Sequence, residues 1–567
     1  RFTEALQEMG VENAPVPVSR SARPEFGEYQ FNGAMALAKQ LKQKPRDIAE
    51  KIVETVKLDD IASKLEVAGP GFINVHLNDA WLSNQCELSL TDPRLGIAKS
   101  PEQNIVVDYS SPNLAKEMHV GHLRTTIIGD AVVKVLEFLG HNVIRQNHMG
   151  DWGTQFGMLL AHLSDKLQEE VAETALSDLE DFYREAKVRF DEEEGFADRA
   201  REYVVKLQGG DTQCLALWEK FIDVSIAHSE EVYDKLNVSL TRKDIMGESA
   251  YNEDLANVIS DLKAKGIAVE DQGAQVVFIP ELADKEGNPA VYIVQKSGGG
   301  YLYATTDLAA MRYRSGKLNA DRTLILTDAR QALHFKQTEI VGRKAGFMKE
   351  EQTYEHCPFG MMLGSDGKPF KTRTGGTVKL VDLLDEAVER AGKLIAERDN
   401  DLSEEELKEV ARKVGIGAVK YADLSKNRTT DYMFNWDSML SFEGNTAPYL
   451  QYAYTRVKSL FRKAGVDMAT MPVDIKIVEK QEHALAVLLM QFEEVIGLVS
   501  REATPHVLCT YLYDVASAFM TFYEACPMLK EGIEPQVRDS RLALSALVAN
   551  TLKQGLTLLG IETLEKM

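Results

Sequence analysis

The spacing of apolar and polar positions changes several times along this chain, and each change marks a unit. Residues 1–104 combine a helical spacing at Ala34–Leu41 (AMALAKQL) with an extended apolar run at residues 71–77 (GFINVHL), ahead of Pro93 and Pro101. That pattern predicts a small α/β unit. Residues 105–109 (IVVDY) form a β-branched run, residues 110–113 supply turn residues, and from Met118 the apolar positions fall at helical spacing to Leu139, closed by Gly140. A second extended run follows at residues 141–148, so the segment reads as a β-α-β unit.

Farther on, a charged helical pattern runs to about Leu236, and strands are predicted within residues 275–303, around a turn at Gly298, Gly299 and Gly300. Residues 323–328 (TLILTD) predict another buried strand, and residues 331–344 the helix after it. From Val378 to the last residue the spacing is helical, with no strand alternation. The expected organisation is therefore an α/β unit over 1–104, a parallel α/β domain over 105–377 interrupted by insertions at about 164–300, and a helical region over 378–567.

Composition narrows the classes. With 87 acidic and 65 basic residues the formal net charge is −22, which argues against a protein that coats nucleic acid nonspecifically. The excess is uneven. Residues 165–199 hold 13 acidic against 5 basic residues and are expected to be a solvated insertion, whereas residues 449–465 hold Arg456, Lys458, Arg462 and Lys463 with no acid. No run approaches the ~18 to 20 apolar residues of a membrane span, and no signal-peptide pattern opens the sequence. Five scattered cysteines suit a reducing cytosol.

The candidate chemistry sits at residues 119–122 (HVGH), between the first strand and its helix. A helix start presents unpaired N–H groups and the positive end of the dipole, and two imidazoles three residues apart add donors there. Phosphate binding is one reading; half of a metal site, or polar residues at a helix start, are the others. The metal reading lacks further ligands, since Cys86, Cys214, Cys357, Cys509 and Cys526 form no CxxC and no HExxH occurs. Neither GxGxxG after a strand nor GxxxxGK[ST] is present, so dinucleotide and P-loop sites are not on offer.

These residues resemble a known family. HVGH is similar to the HIGH signature of class I aminoacyl-tRNA synthetases, and SSPNLAKEMHVGHLRTTIIGD with GDWGTQFG resembles the bacterial type of arginyl-tRNA synthetase. So do YLYATTDLA from Tyr301, FGMMLGSDGKPFKTRTGG from Phe359, GAVKYADLSKNRTTDYMFNWD from Gly417, EGNTAPYLQYAYTR from Glu443 and the terminal LGIETLEKM. The resemblance implies a Rossmann-like parallel-sheet catalytic domain with a helical insertion, a small N-terminal α/β domain that touches the tRNA elbow, and an all-α C-terminal domain that binds the anticodon. It implies arginine–tRNA ligation: arginine and ATP give arginyl-adenylate, and the arginyl group passes to the 2′-hydroxyl of the terminal adenosine of tRNA(Arg). The first step would generally require bound tRNA. Magnesium would accompany the ATP, no zinc is implied, and the protein would be a cytoplasmic monomer with no DNA or membrane partner. An HxGH nucleotidylyltransferase or a noncatalytic tRNA-binding relative are the alternatives. The first has no use for a long helical region, and the second has no need of His119, His122 and Asp307.

By the same resemblance, His119, Gly121 and His122 bind ATP, with His334 and Met362 at its border. The family's KMSKS loop departs here to KPFKTRTGG, with Thr372 and Arg373 standing where the pattern is altered, so Lys368 or Lys371 would serve in part and Lys116 would substitute for the missing lysine. Tyr303 and Asp307 would read the guanidinium, whose fixed donors and permanent charge call for carboxylates and neutral acceptors. Glu248 would hold the α-ammonium or the side chain, and Asn113 and Gln331 the main-chain groups. Read alone, Asp307 fits equally as a helix N-cap. Tyr449, Tyr452 and Arg456 fall on one helical face, suited to stacking on splayed bases, although such a stripe also fits a core.

Overall fold

The β-branched runs make the centre of the molecule. In the computed structural model, which describes residues 1–371, 376–398 and 400–567, four strands pair in parallel in the order Thr353–His356, Arg322–Ile325, Asn104–Asp108, Asn142–Gln146. Ile105, Val106 and Val107 have no exposed surface, as a strand covered on both faces requires. The helix Leu123–Phe138 makes the crossover between Asn104–Asp108 and Asn142–Gln146. It lies directly on Tyr109: a Cβ on Gly129 would come within 2.3 Å of that ring, so only glycine permits the approach. Asn104–Asp108 and Arg322–Ile325 are neighbours although insertions separate them in sequence, and the chain leaves them toward opposite edges of the sheet. Such a switch point opens a crevice at the carboxyl ends of the strands.

The insertions are of two kinds. Ala274–Ile279 pairs antiparallel with Val269–Asp271 and with Ala290–Gln295, giving the small sheet expected there, and Gly299 returns its N–H to Lys296 in the predicted turn. The acidic stretch keeps most of its acids in solvent, as expected, and has a core beneath them. The helices Gln155–Gln168, Leu179–Glu192, Phe196–Gln208 and Thr212–Lys235 bury Phe156, Phe182, Phe196 and Phe221 against one another, so the acids cover a packed aromatic core. Asp165 among them is ion-paired to Arg199 at 2.6 Å and Arg189 at 2.9 Å.

An N-terminal antiparallel sheet in the order Val18–Arg20, Tyr29–Phe31, Phe72–Leu77, Ala62–Ala68 forms the small α/β unit. Its exit helix Asp79–Thr91 packs on Lys480–Met490 and Pro535–Leu558. His483 joins the two regions, with Nε2 2.6 Å from Glu28 and Nδ1 2.5 Å from Asp79.

The region after Val378 is helical as expected, with one correction: Tyr432–Met433 pairs in parallel with Met362–Leu363. Two residues leave no alternation to read. Buried Arg124, from the crossover helix, binds Asp423 at 3.3 Å and the Thr430 carbonyl at 2.8 Å, tying this region to the parallel sheet. Residues 480–502 are long and apolar enough to cross a membrane by length and composition alone, but they break at Gln491 and 56% of the apolar window is buried, as in a core helix.

Candidate active site

The crevice begins with a strained turn. Ser110 and Ser111 follow the first strand with φ of 68° and 48°, a left-handed pair without glycine that costs on the order of 1–3 kcal/mol per residue. Neighbours hold it. The Ser110 N–H donates to Thr125 Oγ1 at 3.1 Å, the Ser111 N–H to Asn147 Oδ1 at 2.9 Å, and Ser111 Oγ to Asp108 Oδ1 at 2.9 Å. Asp108 in turn pairs with buried Arg314 at 2.9 Å. The turn sends Asn113 and Lys116 to the surface. Asn113 Oδ1 accepts the Ala115 N–H at 2.9 Å, which leaves its amide Nδ2 as the donor end.

The HVGH stretch is itself a cap. Helix proper starts at Leu123, later than the expected Met118, because Val120–His122 is a 3-10 turn. His119 Nδ1 accepts the Gly121 N–H at 3.0 Å, and His122 Nδ1 accepts the His119 N–H at 3.1 Å. A ring nitrogen that accepts carries no proton, so in both residues Nε2 bears the hydrogen. Burial, then the Lys116 charge, lowers His119; burial, then His119, pushes His122 down to about 3. The pair is thus two neutral imidazoles offering Nε2–H donors, with ring centroids 4.2 Å apart.

Gly121 has a specific reason. A Cβ there would stand 2.6 Å from His119 Cε1, so glycine is needed for the ring to fold over its own backbone. The turn is clamped from outside as well: the Val120 N–H donates to the Val378 carbonyl and the Leu380 N–H to the Met118 carbonyl, each at 3.0 Å.

Next to His148, whose N–H donates to Ser111 Oγ at 3.1 Å, lies a cluster of carboxylates. Asp307 sits inside the helix Tyr303–Arg312, whose N-cap is Leu302, so the N-cap reading of Asp307 is corrected. Its Oδ2 is 2.5 Å from His334 Nε2, and its Oδ1 is 3.9 Å from His148 Nε2. Glu248 is pushed up to about 8 by burial first, and then by Asp151 and Asp307. Its backbone is fixed by Asp151, which accepts from the Ser249 N–H at 2.8 Å and from Ser249 Oγ at 2.6 Å. Gly247 makes that approach possible, since a Cβ would meet the Asp151 carboxylate at 2.5 Å. A carboxyl in such surroundings is a candidate partner for a cationic group. The ring of Tyr303 is 71% exposed at the start of the same helix, and Glu248 and Asp307 both act on its hydroxyl.

Other expected residues spread around this crevice. Gln331 is exposed and begins the helix Ala332–Lys344, one turn before His334. Met362 is 7% exposed and gives its carbonyl to the Phe370 N–H, so its side chain is part of the core. Lys368 and Lys371 are exposed on a hairpin-like segment, where Leu363 bridges to Pro369 and Lys371 to Thr377. Thr372 and Arg373 lie outside the described residues. Tyr449, Tyr452 and Arg456 share the helix Ala447–Ala464, half-buried, away from the crevice. Tyr449 meets Tyr513 in a tilted ring contact at 5.6 Å, and Arg456 lies over Tyr452 and Tyr523.

Sequence reasoning missed His148 and Asp151. Both follow the strand Asn142–Gln146, and the tendency of ligands to sit beyond the carboxyl ends of parallel strands would have found them. It also missed Glu117, which accepts from the Leu179 N–H at 3.2 Å and pairs with His228 at 2.7 Å. No local signal announces those partners.

Comparison with known proteins places the chain in a family. A family model for class I (R) tRNA synthetase catalytic domains matches residues 86–436, one for the arginyl-tRNA synthetase N-terminal domain residues 1–77, and one for the DALR anticodon-binding domain residues 450–567. Over 567 residues the chain is 98% identical to an arginine–tRNA ligase of Alteromonas mediterranea, covering 100% of this chain and 98% of that protein. A second from Pseudoalteromonas atlantica is 76% identical, with coverages of 100% and 98%. Among solved structures, arginyl-tRNA synthetase of Plasmodium falciparum aligns with TM-score 0.86 at 30% identity, covering 100% of this chain and 98% of that one. The Thermus thermophilus enzyme aligns with TM-score 0.84 at 25% identity and the same coverages.

Proposed function

The chain belongs to the class I arginyl-tRNA synthetase family, and from that premise we propose how its crevice carries out ATP-dependent ligation of arginine to tRNA(Arg). The observation that carries the reading is the pair of imidazoles at the helix start, each accepting a backbone N–H at Nδ1 so that Nε2 carries the hydrogen, together with the part-buried carboxyls Glu248 and Asp307.

In the first step a carboxylate oxygen of arginine attacks the α-phosphorus of ATP and pyrophosphate leaves. Two anions must be brought together, so binding and charge neutralisation supply most of the catalysis. His119 and His122 donate Nε2–H to phosphate oxygens as neutral imidazoles. Lys116, exposed three residues before His119, adds a positive charge for the developing pyrophosphate, with Lys368 and Lys371 on the hairpin-like segment. Magnesium would accompany the nucleotide as its counter-charge, with the Met362 backbone at the adenine side and His334 on the wall it shares with the arginine subsite.

Asp307 and Glu248 accept from the arginine guanidinium or ammonium, Tyr303 closes over it, and Asn113 and Gln331 hold the main-chain groups. In the second step the 2′-hydroxyl of the terminal adenosine attacks the carbonyl carbon, and AMP leaves. Tyr449, Tyr452 and Arg456 would grip the anticodon far from the chemistry, and residues 1–104 would meet the tRNA elbow. Five free, buried cysteines support a reducing cytoplasm as the setting, and the reading has the protein act there as a monomer without DNA or membrane partners.

ATP–pyrophosphate exchange tests the reading. Exchange should appear with arginine plus tRNA(Arg) and be weak without the tRNA; exchange driven equally by lysine or glutamate would overturn the amino-acid assignment.

A further inference from the structure

The insertion helix Leu179–Glu192 meets the active-site loop at an unexpected place. Lys116 Nζ lies 4.2 Å from the centroid of the Tyr183 ring, on the second turn of that helix. The helix start is fastened on both sides of this contact. Glu117, next to Lys116, accepts the Leu179 N–H at 3.2 Å and is itself held by His228 at 2.7 Å. The N-cap Asp178 pairs at 2.6 Å with Lys379, in the segment whose backbone clamps the HVGH turn. One helix terminus therefore anchors the loop before HVGH and the segment that closes over it.

Lys116 is otherwise exposed, and a free lysine side chain samples many rotamers. An aromatic face is a particular kind of support for an ammonium. It attracts the charge through the ring quadrupole but consumes none of its three N–H donors, which a carboxylate partner would occupy. From this geometry we infer that Tyr183 is a positioning residue for Lys116, holding the ammonium over its ring so that its donors are presented to the triphosphate. The inference rests on the proposed role of Lys116 in activation. The acidic insertion thereby takes a part in catalysis, because the aromatic core that packs Phe182 inward also sets Tyr183 outward on the adjacent position.

The test is a double-mutant cycle on ATP–pyrophosphate exchange in the full-length protein with saturating arginine and tRNA(Arg). Tyr183→Leu keeps apolar bulk and should lower kcat roughly threefold, the scale of an exposed cation–π contact, with the KM for arginine unchanged. Tyr183→Phe, which keeps the ring, should recover the rate lost in Tyr183→Leu. In a Lys116→Ala background, Tyr183→Leu should have no further effect. Equal losses from Tyr183→Leu in both backgrounds would show a merely structural role and overturn the inference, as would wild-type activity of Tyr183→Leu alongside an impaired Lys116→Ala. Wild-type activity of Lys116→Ala itself would instead remove the role of Lys116, a separate failure read from a separate variant.

Discussion

His334 Nε2 stands 2.5 Å from Asp307 Oδ2, so a residue expected beside the nucleotide is bonded to the carboxylate expected to read the amino acid. The two subsites thus share a wall, and the imidazole fixes the rotamer of the carboxylate before any guanidinium arrives. Replacing His334 by Ala should free that carboxylate and raise the KM for arginine about tenfold, the scale of one hydrogen bond to a charged group. Steady-state kinetics check this; a rise in the KM for ATP alone would move His334 to the nucleotide.

Glu248, held up to about 8, makes arginine binding a protonic event. The free protein keeps this carboxyl neutral at pH 7, while a bound cation favours the carboxylate, so binding should release a proton. Affinity should therefore rise with pH, by up to about tenfold per unit between pH 6.5 and 8. Stability in the absence of arginine runs the other way: the unfolded chain ionises near 4.5 and the folded one near 8, so this group's contribution declines across that window. Calorimetric titrations in buffers of different ionisation enthalpy would register the proton, and Glu248→Gln should abolish it.

A Cβ at position 121 would meet the His119 ring at 2.6 Å, and the ring is the part able to move. Gly121→Ala should thus leave the melting temperature nearly unchanged while the activation rate falls roughly a hundredfold, as when a preorganised donor is lost. Thermal melts and single-turnover activation measured on one preparation separate the two effects.

His483 is raised to about 9, first by its hydrogen bond to Glu28 and then, against burial, by Asp79. A raised histidine contributes stability that is full below the unfolded value of 6.5 and fades as pH climbs through 9. His483→Gln should cost about 1 kcal/mol at pH 6 and little at pH 10, read from denaturation curves. A pH-independent loss would mean that the ring only packs between the N-terminal sheet and the helical region.

How much of this was readable beforehand depends on distance along the chain. The strand, turn and helix around HVGH announce themselves through local periodicity, and so does the helix that carries His334. The blocks that resemble the synthetase family carried the activity. Tyr183 reaching back to Lys116, and His228 to Glu117, are pairings between distant segments with no periodic signature. Charge density hid part of the aromatic core of the insertion, because Phe182 and Phe196 stand in a stretch dominated by acids. The role of Gly121 was invisible for another reason: the atom that needs the space belongs to the side chain two residues earlier.

Everything proposed for the crevice depends on where the triphosphate rests. A crystal of the protein with ATP should show phosphate oxygens within hydrogen-bonding distance of Nε2 of both His119 and His122, with each Nδ1 still accepting its backbone N–H. Phosphates bound elsewhere, with either ring rotated so that Nε2 faces the protein interior, would contradict it.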